Sequence, residues 1–113
     1  MRSVSRDWRL YLADMRESGE RVLRYTAGMN ASSFARDEKT RDAVLRNLEI
    51  IGEAAKRIPT AERAALPKLD WRRIAGFRDI VAHAYFGIDD AILWDIVRSK
   101  IPELLTALEQ RGE

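Results

Sequence analysis

Apolar side chains recur every three to four positions along most of this chain, and Gly28, Pro59 and Gly87 punctuate the pattern at wide intervals. That is the period of a helix, so the chain is constrained to an all-α fold. Asp7 suits an N-cap, and Trp8, Tyr11, Leu12, Met15, Val22, Tyr25 and Met29 form the apolar side of a first helix that should end between Gly28 and Asn30. After an Ala31-Ser32-Ser33 turn, a second helix is predicted from about Asp37 to Arg57, with Val44, Leu48, Ile51, Ala55 and Ile58 as its stripe. Pro59 stops it, and Thr60 is placed to cap a short turn through Leu66.

Asp70 is the expected N-cap of a third helix. That helix carries Trp71, Ile74, Ala75, Arg78, Ala82 and Tyr85 on one side and closes near Phe86-Gly87. Asp89 restarts the chain, and Ile92, Leu93, Ile96, Val97, Ile101, Leu104, Leu105 and Leu108 mark a fourth helix. Pro102 falls inside it, which predicts a kink or break between Ser99 and Ile101. Short connections favour antiparallel neighbours. The expectation is one domain over residues 1–113, an up-and-down antiparallel bundle of four main helices with a short extra helical turn.

Composition removes several kinds of chemistry. The chain has no cysteine and one histidine, which leaves neither a thiol nucleophile nor a ligand set for zinc. No stretch is apolar for long enough to span a bilayer, and the residues after Met1 are charged from the start, so a cytoplasmic protein is expected. The net charge of +2 is small, but arginine supplies 16 of the 20 basic residues. Its planar fork is the better partner for phosphate, although a GC-rich coding bias gives the same excess.

The only histidine lies in Arg78-Asp79-Ile80-Val81-Ala82-His83-Ala84-Tyr85. Imidazole titrates nearest neutrality and guanidinium matches phosphate oxygens, so this pair suits acid/base work on a phosphodiester. At about 100° per residue, Arg78 and Tyr85 stack on one face, and His83 points about 140° away from Arg78. Asp79, four residues before His83, is placed to accept an imidazole N–H through its carboxylate. One phosphate meets both Arg78 and His83 only if the helix loosens near His83 or if a second copy supplies the missing half. The flank bearing Arg46, Asn47, Glu53 and Arg57 is a candidate subunit interface.

The Arg-x4-His-x-Tyr string on a third helix resembles the signature of the HEPN superfamily, in particular its HepT-like toxins. Arg46-Asn47-Leu48-Glu49-Ile50-Ile51-Gly52-Glu53-Ala54-Ala55 resembles that branch's second-helix pattern. Trp71 to Asp79 and Tyr85 to Asp89 resemble its motif region. The resemblance spans about Arg2 to Leu108 and implies a ribonuclease that needs no metal or cofactor and works as a homodimer with its site at the interface. It implies Arg78 and His83 as the catalytic pair, with Asp79 where the family often has Asn. Arg46 and Glu53 would belong to the interface or the cleft wall. It also implies a nucleotidyltransferase antitoxin, MntA-like, that transfers AMP from ATP to Tyr85. A second reading makes the chain a non-catalytic nucleotide- or substrate-binding subunit of a two-component nucleotidyltransferase.

Overall fold

The computed structural model describes residues 7–84, 87 and 89–109. Within them the chain is helical: α1 (Trp8–Tyr25), α2 (Ala31–Ala35), α3 (Glu38–Lys56), α4 (Thr60–Ala64), α5 (Trp71–Ala84), α6 (Asp90–Asp95) and α7 (Ile101–Glu109), with one π-turn (Ile96–Lys100) joining α6 to α7. The long helices make the bundle: α3 lies between α1 and α5, and α7 closes against α1. Met15, Val22, Val44, Leu48, Ile51, Phe77, Leu93, Ile101 and Leu108 are fully buried between them. Each such side chain stabilises by about 1.5–3 kcal/mol relative to exposure, so this shared interior holds the elements together.

The predicted α3 stripe is buried from Val44 to Ile58. On α5 the stripe is displaced. Ile74, Phe77 and Val81 face the core, whereas Ala75 and Ala82 are exposed. Alanine loses little by facing water, so the bulky residues set the rotation of the helix. Tyr25 and Ile92, expected on the apolar sides of their helices, are exposed, Tyr25 as the last residue of α1.

Asp7 and Asp70 cap as expected, and Asp89 caps α6 in the same way; they accept the backbone N–H of Arg9 at 2.9 Å, Arg73 at 3.1 Å and Ala91 at 2.8 Å. Two local expectations are corrected. The Ala31-Ser32-Ser33 segment is not a bare turn but the start of α2, because Asn30 and Ser33 form a reciprocal capping box. Thr60 is not the cap of α4 but its first residue, following Pro59 in extended conformation. Pro102 does interrupt the α-helical pattern where expected: the residues before it, Ile96–Lys100, form a π-turn. The wider π-turn ahead of it absorbs the missing N–H, and α7 continues directly from Ile101.

Asp37 caps α3 by accepting the Thr40 backbone N–H at 3.0 Å. That bond, helped by the Thr40 hydroxyl and by Lys39, holds its carboxyl below the ordinary value of 3.8. A carboxyl with a depressed folded pKa stabilises at pH values above its unfolded pKa, and that contribution is lost as pH falls through the folded pKa. Asp37→Asn keeps a neutral cap. Thermal unfolding should therefore show wild type ahead of Asp37→Asn at pH 7, with the gap closing below about pH 4. A gap that is constant across that range rules this out.

The start of α6 is tied to α3: Arg41 Nη2 pairs with Asp90 Oδ1 at 2.8 Å, with the arginine the more shielded of the two. Gly87 has φ +87°, a left-handed conformation that side chains rarely adopt.

Candidate functional site

Arg78 lies over α3. An ideal Cβ built on Gly52 would come within 2.7 Å of Arg78 Cγ, so the stem of the arginine occupies the space a side chain at 52 would need. The next residue, Glu53, receives its head group: Arg78 Nε is 3.2 Å from Glu53 Oε2. Both side chains are nearly half exposed, at 45% and 43%. A pair so open to water adds at most about 1 kcal/mol to stability. Its consequence is orientation. Gly52 and Glu53 form a seat that holds the guanidinium through Nε, and among the described residues no ion pair engages its terminal nitrogens.

His83 is exposed in the last turn of α5. Its Nδ1 is 2.7 Å from the main-chain carbonyl of Asp79. This corrects the expectation of a carboxylate partner: the residue is Asp79, but the atom is its backbone oxygen. A carbonyl can only accept, so Nδ1 carries the proton and donates it. The ring is thereby held in one tautomer, with Nε2 as its basic nitrogen and open to solvent.

The helix is continuous from Trp71 to Ala84, so it does not loosen near His83. Arg78 turns toward α3 and His83 turns outward. One protomer therefore presents two half-sites facing different directions.

Asn47 is not on the exposed flank expected for it. It is buried, donates Nδ2–H to the Ala43 carbonyl at 2.8 Å, and leaves Oδ1 without a partner among the described residues. Arg46 is exposed and reaches Glu49 at 3.5 Å. With Tyr11 and Asp14 of α1, and Glu53 and Arg57 of α3, Arg46 lines an open groove of about 400 Å3 that shares Glu53 with the Arg78 seat. Charges of both signs line it. Tyr85 lies outside the described residues and follows directly on Ala84. Among the described residues no group of three or more His, Asp and Glu side chains is gathered in a way that could hold a metal ion.

A family model described as ribonuclease HepT-like matches residues 15–111. The chain belongs to the HepT-like ribonuclease family. Among HepT-like relatives, the "Probable ribonuclease HepT" of Thermococcus cleftensis is 40% identical over 107 residues, 95% of this chain and 97% of that one. A candidate RNase of Methanocaldococcus jannaschii is 38% identical over 105 residues, covering 93% and 87%. Another, from Caldanaerobacter subterraneus, is 38% identical over 96 residues, covering 85% and 86%. No solved structure matches this one. The all-helical bundle agrees with a HepT-like chain, and no described helix is long and apolar enough to cross a membrane.

Sequence reasoning assigned no role to Gly52. The available signal was a glycine inside a strongly helical pattern, where it costs about 1 kcal/mol against alanine and so needs a reason. The reason is Arg78.

Proposed function

We propose that this HepT-like protein is an RNA-cleaving toxin whose active unit is a homodimer and whose chemistry needs no metal. The observation that carries the reading is the His83 ring, held through Nδ1–H on the Asp79 carbonyl with Nε2 open to solvent. In the reaction Nε2 takes the proton of a ribose 2′-hydroxyl. The resulting oxygen attacks the adjacent phosphorus, the P–O5′ bond breaks, and a protonated imidazole returns a proton to the leaving 5′-oxygen. The products are a 2′,3′-cyclic phosphate and a 5′-hydroxyl. Arg78 holds the charge that builds on the phosphorane, where a guanidinium fork fits two oxygens at once.

The dimer answers two requirements. Acid and base are both imidazoles, and each chain has one. A two-fold interface also lets Arg78 of one protomer face His83 of the partner subunit across a shared cleft. The groove lined by Arg46 and Glu53 supports this reading, since mixed charge and open shape suit a protein surface better than a polyanion. Control is assigned to Tyr85. A nucleotidyltransferase antitoxin of the MntA type would transfer AMP from ATP to its phenol oxygen with release of pyrophosphate, putting an anion beside Arg78 in place of substrate.

Protein made without the antitoxin should cleave RNA in excess chelator and leave cyclic phosphate ends. Protein made with it should gain the mass of one AMP on the Tyr85 peptide and lose the activity. Cleavage that chelator abolishes, or full activity of the modified protein, overturns the corresponding part of the reading.

A further inference from the structure

The α5 helix carries a second arginine whose surroundings the cleavage chemistry does not explain. Arg72 is exposed in the first turn of α5. Its neighbour Arg73 reaches Asp70 at 3.7 Å, and Arg78 is seated on Glu53. Arg72 has no such carboxylate among the described residues. It precedes His83 by eleven residues, which on a continuous helix brings the two within about 20° of the same line and about 16 Å apart.

The line between them passes between Gly76 on one side and the exposed Asp79 on the other, each about 30° off it. Gly76 lies close to that line, four residues from Arg72 and seven from His83, and a Cβ added there would meet nothing within 4 Å. Ala75 beside it is exposed and small. The Asp79 carboxylate borders the strip on the side toward Arg78, so an anionic chain would run over Gly76 rather than over Asp79. A sugar-phosphate backbone can therefore lie flat against α5 from the open Nε2 of His83 to the guanidinium of Arg72.

We propose that Arg72 is a phosphate-binding subsite for the RNA strand, remote from the bond that is cut. This rests on the ribonuclease reading above and adds a determinant of substrate length to it. The ligand is a backbone phosphate of single-stranded RNA, recognised by the guanidinium fork without regard to base. At the 3.4 Å axial spacing of a stacked strand, the span covers about five nucleotides. A stretched strand reaches Arg72 with fewer.

The test uses the full chain and oligoribonucleotides carrying one scissile bond, from a dinucleotide to about ten nucleotides, twice the stacked span. For wild type, kcat/KM should rise with length by roughly tenfold once the strand reaches Arg72, the size of one charge-assisted phosphate contact. Arg72→Gln should cleave the dinucleotide as wild type does, yet lack that rise, with the loss in KM rather than kcat. Its slope of log(kcat/KM) against log salt should be lower by about 0.7, one single-strand phosphate. Arg72→Lys should restore part of the gain, and Arg73→Gln should keep all of it.

Equal length dependence in wild type and Arg72→Gln overturns the subsite and leaves the nuclease reading standing. Equal loss on the dinucleotide also overturns it, since a distant phosphate is then not what Arg72 holds. A wild-type protein that cleaves no RNA of any length overturns the nuclease reading and the subsite with it.

Discussion

Replacing His83 with alanine is expected to lower RNA cleavage by roughly 100- to 10,000-fold, the range that a positioned general acid or base supplies. The fold should be untouched, because the ring is exposed and its contact is with the main chain of its own helix. Melting temperature therefore separates a catalytic loss from a structural one: activity should collapse while the unfolding transition stays in place. His83→Gln sharpens the test, since its amide can still donate a hydrogen bond but cannot shuttle a proton. Activity that survives either change would remove His83 from the chemistry.

The pairing of two protomers gives a stronger form of the same experiment. Arg78→Ala and His83→Ala should each be inactive alone. Because acid and base are the imidazoles of the two protomers, a dimer with a single His83→Ala protomer should already be inactive. Random exchange between equal amounts of wild type and His83→Ala leaves a quarter of the dimers with both imidazoles, so activity should fall to about a quarter of the undiluted value. Clefts that use the imidazole of one protomer alone keep half.

How much of this was legible beforehand depended on whether spacing alone decides the question. The α3 stripe from Val44 to Ile58 was legible because bulky side chains repeat there and no rival face does. On α5 two faces compete. Ala75 and Ala82 keep helical spacing with Ile74 nearby, but Phe77 and Val81 carry the larger apolar area and win the core. Asn47 shows the converse limit: polar identity suggests a surface, yet the helix rotation that buries Leu48 and Ile51 also buries it, and its amide turns to the Ala43 carbonyl. For His83 the partner residue could be read and the partner atom could not, since the Asp79 carboxylate and carbonyl both lie one turn back. The seat under Arg78 was illegible because it joins residues 26 apart through the packing of α3 on α5.

That seat makes the second large prediction. A glycine inside a helix ordinarily invites replacement, since alanine there gains about 0.5–1 kcal/mol. At Gly52 the sign should reverse. The new Cβ would stand 2.7 Å from Arg78 Cγ and 3.6 Å from the Arg78 backbone nitrogen. Cγ is too near the root of the side chain to slip aside without rotating χ1 or widening the gap between helices. Forced packing of this kind costs about 1–3 kcal/mol, more than the helix gains. Gly52→Ala should therefore melt several degrees below wild type, at about 4–8 °C per kcal/mol for a domain of this size. Its larger effect should be on the reaction. A rotated Arg78 leaves Glu53 and the α3–α5 seam together, and withdrawing one charge-stabilising group costs roughly 100- to 1,000-fold in kcat. Glu53→Gln separates the two contributions, because it removes the charge that holds Nε while leaving the space over Gly52 open, and it should cost activity far less than Gly52→Ala. A Gly52→Ala protein that is both more stable and fully active would show that the position of Arg78 does not depend on this seat.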